Sequence, residues 1–168
     1  VIDPAELLSA ARLLAATNTS GEPTDGQLRR SVSTAYYALF HKVLSSAAER
    51  FMGPDTEGSA GYSILYRSFV HGRMKAVCEA LDVPVLGKNL ARQLRKTSVS
   101  SDMRAFAGQF AAFQDARHMA DYDPTAEFSQ STVERLLDAA EIAIAAFDRC
   151  DPDERADVLA LMLSNPRA

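Results

Sequence analysis

Between Gly26 and Gly53 the chain carries neither glycine nor proline. Nothing in that stretch breaks a helix, and its apolar residues recur at helical spacing rather than in strict alternation. Leu28, Val32, Ala35, Leu39 and Val43 mark one face, and Tyr37, Phe40, Leu44, Ala47 and Phe51 mark a second. A helix that is apolar on two faces has to be covered on both. The spacing therefore predicts a central helix with neighbours on two sides, running from a Thr24-x-x-Gln27 capping pattern to about Phe51.

The rest of the chain is punctuated in the same helical style. Asp3-Pro4-Ala5-Glu6 supplies an N-cap, a first-turn proline and an acidic third position, followed by Leu7, Leu8, Ala11, Leu14 and Ala15. A first helix is expected to about Asn18, then a loop through Gly21, Pro23 and Gly26. After Gly53-Pro54, Gly58 and Gly61, a third helix is expected from about Tyr62 to Leu81, stopped by Pro84 and Gly87. Leu90 to Lys96 reads as a short helix or an ordered loop. A fourth helix should start near Ser100 to Asp102 and end before Asp123-Pro124, because the residue before a proline avoids helical dihedrals. Ser131-Thr132-Val133-Glu134 has the form of a capping box for a fifth, with Val133, Leu136, Leu137, Ala140, Ile144 and Phe147 as its stripe. Asp151-Pro152-Asp153-Glu154 opens a short sixth, to about Leu163, with a frayed end after Asn165-Pro166. No segment alternates like a strand. The expected architecture is all-α: an antiparallel up-down bundle of four to five main helices plus a short C-terminal helix, in one domain over residues 1–168.

Bulk properties narrow the function classes. A formal net charge of -4 argues against a generally basic nucleic-acid binder, while leaving room for a local basic patch. Cys78 and Cys150 form no disulfide framework and have no partner at zinc-ligand spacing, so two reduced, buried thiols are expected. There is no Walker loop, no Gly-rich dinucleotide signature, no HExxH pair and no Ser-His-Asp order, so neither a cofactor nor a metal is expected. No apolar run reaches the roughly 18 residues of a membrane span, and the first residues lack the pattern of a signal peptide. A soluble cytoplasmic protein is the resulting expectation.

Two helices carry polar residues where apolar ones belong. In the second, Arg30, Tyr37 and His41 are spaced i, i+7 and i+11 and fall in one narrow sector. They suit either phosphate binding or a hydrogen-bonded polar edge of the core. In the fourth, the stripe Met103, Phe106, Phe110, Phe113 continues by i+4 onto Arg117 and then Asp121. An unpaired arginine on a core-facing stripe is costly, so Arg117 needs a carboxylate or a bound anion. Asp121 is the nearest candidate by sequence. The pair reads either as a structural lock or as an anion-binding site. His118 and Tyr122 share a face with Asp115, and His71 on the third helix is a further candidate to approach either group.

Taken together, the two segments resemble a known family. Arg29-Arg30-Ser31-Val32-Ser33-Thr34-Ala35-Tyr36-Tyr37-Ala38-Leu39-Phe40-His41 is similar to the helix of HEPN-type proteins in which an arginine-rich start leads to a Tyr-Tyr-Ala-x-Phe-His core. Phe113 to Asp123, with Arg117 followed by Ala120-Asp121-Tyr122, resembles the later helix of the same group. The resemblance spans roughly residues 25 to 150. It implies an antiparallel helical bundle that dimerises. Many HEPN domains are metal-independent ribonucleases, and others accompany minimal nucleotidyltransferases. The family's nuclease motif is an Arg, a short spacer and a His. Arg117 matches the Arg and His118 the polar residue after it, but Tyr122 stands where the His is due at the shortest spacing, followed by Asp123 and Pro124.

The resemblance thus implies a protein that binds a nucleotide, RNA or a protein partner through a cleft holding Arg30, Tyr37, His41, Arg117 and Asp121. Arg117, His118 and Tyr122 are the candidates for any chemistry, and the standard ribonuclease mechanism is not expected. Two alternatives stand beside it: a metal-independent ribonuclease acting in a toxin–antitoxin system, and a structural helical dimer or scaffold. Expected partners are a second copy of the chain, a minimal nucleotidyltransferase, and RNA or a nucleotide.

Overall fold

The structure is a computed structural model, and it describes residues 2–19 and 21–164. Among these residues there are eight helices and no strand: α1 Pro4–Ala15, α2 Asp25–Met52, α3 Ala60–Arg67, α4 His71–Leu81, α5 Lys88–Leu94, α6 Ser101–Tyr122, α7 Gln130–Arg149 and α8 Pro152–Leu163. The all-α expectation holds. The caps behave as the sequence predicts at most starts. Asp3 accepts from the Ala5 amide, and Asp151 accepts from the amides of Asp153 and Glu154. Thr24 and Gln27 form a reciprocal box, with the Thr24 amide donating to Gln27 Oε1 at 2.8 Å and the Gln27 amide to Thr24 Oγ1 at 3.3 Å.

Three boundaries differ from expectation, each for a local reason. The first helix stops at Ala15, because Asn18 and Gly21 exchange backbone hydrogen bonds of 3.0 and 2.9 Å that close a turn. The fifth predicted helix starts earlier, at Ser129 rather than Ser131: Ser129 takes the Thr132 amide, and Gln130 reaches back to the Ala15 carbonyl at 3.0 Å. The third predicted helix is two helices. Ser68 Oγ donates to the Ile64 carbonyl at 2.7 Å and its amide tightens onto the Leu65 carbonyl, which competes with continuation of α3. Val70 is extended, and the intervening Phe69 is buried in the core. Burying that ring is what redirects the chain into α4. The expected frayed end after Asn165-Pro166 lies outside the described residues.

α2 runs through the middle of the core. Val32, Ala35, Tyr36, Ala38, Leu39, Val43 and Ala47 are fully enclosed. Small alanines at successive turns let neighbouring helices approach closely, while Phe106, Phe110 and Phe113 of α6 and Phe147 of α7 fill the remaining volume. Phe106 and Phe147 meet at 4.4 Å between ring centres. Side-chain pairs run in opposite sequence order between α2 and α6, from Ser33–Asp121 to Tyr37–Arg117, so these two helices are antiparallel. α1 and α7 are likewise antiparallel, with Arg12 on Asp138 and Gln130 on Ala15. Cys78 and Cys150 are both buried and unbonded to each other, and burial pushes both thiols well above the ordinary cysteine value. Among the described residues no helix is long and apolar enough to cross a membrane.

The start of α2 is clamped to the end of α6 by Arg29. Its guanidinium donates to the carbonyls of Ala120 (3.2 Å), Asp123 (2.7 Å) and Ala126, while Nε pairs with Asp25 at 2.7 Å. A cation among the last carbonyls of a helix satisfies orphan acceptors and complements the helix dipole. Phe128 lies beneath the same group, 5.8 Å from the guanidinium carbon. Arg29→Ala should cost about 2 kcal/mol or more, the scale for losing several charge-assisted hydrogen bonds. Urea unfolding of the two proteins measures this, and a loss below about 0.5 kcal/mol would show that the clamp is replaced by solvent.

Candidate functional site

The polar residues of α2 that face inward meet partners on four different helices, α1, α3, α4 and α6. Arg117, one turn past Phe113 on the apolar stripe of α6, reaches Tyr37 with its Nη2 donating to the phenol oxygen at 3.3 Å. Its guanidinium carbon lies 5.8 Å from the Tyr37 ring centre and 5.4 Å from that of Tyr122. Asp121 Oδ2 stands 2.7 Å from Arg117 Nε, and also accepts from the buried Ser33 hydroxyl at 3.3 Å. The Arg117 and Asp121 side chains are 20% and 22% exposed, so the pair sits at the mouth of the core rather than deep within it. The approach is an ion contact without aligned hydrogen-bond geometry: Arg117 Nε is buried and satisfies no acceptor. Of five guanidinium N–H groups, a single long bond to Tyr37 is formed.

Histidines and tyrosines extend this group. The turn that separates α3 from α4 places His71 against α2, stacked on Phe40 with ring centres 4.2 Å apart and edge-on to Tyr37 at 6.3 Å. The Tyr36 hydroxyl bonds His71 Nδ1, and the Tyr66 hydroxyl of α3 bonds His41 Nδ1 at 2.6 Å. Burial pushes the Tyr36 phenol up, and the Tyr66 phenol up to about 12, so both keep their protons near neutrality. Burial lowers both imidazoles, aided at His71 by the charge of Arg117 and at His41 by His71. The Nδ1 atom of each imidazole is thus engaged by a phenol, the direction of the bond following the tautomer. The cluster therefore gathers phenols and imidazoles beside Arg117, with the Nδ1 atom of each imidazole already in a hydrogen bond.

The sequence-derived residues divide into those that meet and those that do not. Tyr37, Arg117 and Asp121 come together, and His41 joins the same cluster through Tyr66 and a 6.3 Å ring contact with Tyr37. Arg30 does not: it is exposed, and the clamping role next to it belongs to Arg29. His118 and Tyr122 turn outward, with ring centres 5.1 Å apart and Tyr122 64% exposed, and Tyr122 touches the cluster only through the Arg117 guanidinium. Three further members of the cluster lie outside that sequence-derived set: Ser33, Tyr36 and Tyr66. Gln114 follows Phe110 by one turn on the core-facing stripe, and its Oε1 is buried with no hydrogen bond. A polar residue on that stripe is the same signal that marks Arg117, so it was available in the sequence. Tyr66 had no such signal, because its role depends on where α3 packs.

Comparison of the chain with family models, with curated proteins and with solved structures finds no match.

The two lowered imidazoles set a pH dependence. An unfolded histidine titrates near 6.5, whereas His41 and His71 in the fold resist protonation to lower pH. Between those values the unfolded chain binds more protons, so stability rises with pH in that window. The contribution is fully present above about pH 6.5 and is lost as pH falls below it. The urea midpoint should be flat from about pH 7 to 8 and decline toward pH 5.5. The double variant His41→Gln, His71→Gln should flatten that decline, and an unchanged profile would assign it to other groups.

Proposed function

We propose that this chain is a HEPN-like antiparallel up-down bundle that binds a nucleotide unit, free or within RNA, through the cleft around Arg117, without standard HEPN ribonuclease chemistry. The observation that carries the reading is Arg117 itself: a guanidinium held at the mouth of the core with most of its donors unused, bordered by the rings of Tyr37 and Tyr122. Phosphate oxygens match unused guanidinium donors, and exposed aromatic faces accept nucleobases. The Tyr37 hydroxyl and the His71 ring lie beside the same guanidinium as further polar groups. Cleavage of RNA without metal needs a base at the 2′-hydroxyl. The engaged Nδ1 atoms of His41 and His71, and Tyr122 in place of the motif's His, speak against that chemistry here. The HEPN resemblance supports a cytoplasmic homodimer, and the exposed Met119 and Tyr122 on the last turns of α6 suit a contact between two copies.

Arg117→Gln should weaken binding of a nucleoside 5′-monophosphate about 10-fold or more, the scale of one charge-assisted contact to phosphate. Calorimetric titration reads this. Folding should be little affected, by under about 1 kcal/mol, because the Arg117–Asp121 pair is partly exposed and lies within one helix. Equal affinity in both proteins, or no nucleotide binding by the wild type, would remove the reading. A loss of several kcal/mol in stability would instead assign Arg117 to the architecture.

A further inference from the structure

Residues 83 to 101 contain Lys88, Arg92, Arg95 and Lys96 and no acidic residue, in a chain whose 22 acidic residues outnumber its 18 basic ones. The local charge is therefore opposite to that of the whole molecule. This segment forms α5 and the loop after it. Leu90, Ala91 and Leu94 pack against the core, which holds the helix down on its apolar side and leaves all four cations exposed. Most basic residues elsewhere have carboxylate partners, among them Arg12, Arg29, Lys42, Arg50, Lys75, Arg117 and Arg149. By contrast the side chains of Lys88, Arg92 and Arg95 pair with no described residue, and Lys96 makes a long 3.9 Å approach to Glu154 and lies near the Asp151 carboxylate.

The C-cap of α5 adds a second observation. Arg95 takes the left-handed conformation, φ 54 and ψ 34, where glycine or asparagine is the usual residue. The position keeps a long cation where a smaller residue would be easier to accommodate. Arg95 and Lys96 line an open depression of about 540 Å³ together with Thr97 and Ser98, whose hydroxyls are phosphate-binding groups in their own right. Lys88 and Arg92 are i, i+4 and so share one face of the helix.

We infer that the exposed face of α5 and its C-terminal loop, Lys88 to Ser98, is a docking surface for the phosphodiester backbone of a nucleic acid. Charge complementarity selects a polyanion, because unpaired cations grouped on a single element make favourable contacts with closely spaced phosphates. A membrane surface fits less well: the apolar side of α5 is taken up by the core, and Val85 is the exposed large apolar side chain of this segment. The surface is separate from the Arg117 cleft. It sits at the start of α6, whereas Arg117 lies sixteen residues further on, about 24 Å along the axis at the rise of an α-helix. The inference stands on the charge distribution and does not require the cleft to bind anything.

The full-length chain should bind a labelled single-stranded RNA of about 20 nucleotides, with affinity falling steeply between about 50 and 200 mM KCl. In the double variant Arg92→Gln, Arg95→Gly the slope of log K against log salt should shrink by about 1.4, since each lost phosphate contact on a single strand removes about 0.7. That corresponds to about sevenfold less sensitivity across the same fourfold salt range. Glycine suits the left-handed position, so the melting temperature should hold, separating lost binding from lost folding. A control of equal net charge, Arg67→Gln with Arg135→Gln, should leave the slope near the wild-type value, and Arg117→Gln should leave the effect of the α5 double variant intact. An unchanged slope in the α5 variant, an equal reduction in the control, or tighter binding through these residues to phosphatidylserine vesicles or to polyglutamate than to RNA would each overturn the inference.

Discussion

α2 is enclosed along most of its length, and that enclosure sets the terms for every polar group it carries. A buried donor or acceptor without a partner costs free energy on the scale of a lost hydrogen bond or more. The helix meets this demand by distributing its polar side chains among several neighbouring helices. Ser31 donates to the Ala11 carbonyl of α1, Tyr36 bonds His71 of α4, and His41 bonds Tyr66 of α3. Ser33 and Tyr37 reach Asp121 and Arg117 of α6. Toward its exposed end, Lys42 pairs with Asp148 of α7 at 2.6 Å and Arg50 with Asp153 of α8 at 3.1 Å. Apolar contact brings the helices together, and these bonds then discriminate between registers that apolar packing alone would leave close in energy.

The candidate cleft follows from the same arrangement. Where α2 and α6 cross near the end of α6, phenylalanines give way to Gln114, Arg117 and Asp121. The helices still pack there, but the stripe now presents charge. Arg117 stays at the mouth of the core, and among the described residues no carboxylate approaches it from another helix. Asp121, one turn along on the same helix, neutralises it only in part. The pair consequently stays about one-fifth exposed, with unused guanidinium donors and rings beside it. The histidines beside it are tied to phenols through Nδ1, and burial shifts them toward the neutral form.

The two regions that carry functional readings differ in kind. Around Arg117 the groups are embedded in the packing, and their protonation states are coupled to the fold. On α5 and the loop after it the cations are carried by a short segment anchored by three apolar side chains, and apart from the approach of Lys96 to Glu154 they pair with no described residue. Changes at the first region are expected to be felt as binding together with pH-dependent stability. Changes at the second are expected to be felt as salt-dependent association with little effect on folding.

Much of this was legible in the sequence because helix formation is local. The run without glycine or proline, the Thr24–Gln27 box and the Asp-Pro-x-Glu starts act within one or two turns, so α1, α2, α6 and α8 begin where the residues say. The misplacement of Arg117 on an apolar stripe was also local information, and it pointed to the position where the structure gathers Tyr37 and Asp121. What only the tertiary structure decided are the features that depend on distant segments. The break between α3 and α4 exists because Phe69 is buried in a core built from other helices. His71 joins Tyr36, rather than remaining a surface residue, because that break turns it inward. Arg29, and not Arg30, clamps α6 because the crossing of two helices determines which of two adjacent arginines meets the carbonyls. The central helix was determined by spacing along the chain, whereas the partners of its polar groups were determined by packing, which spacing along one segment does not encode.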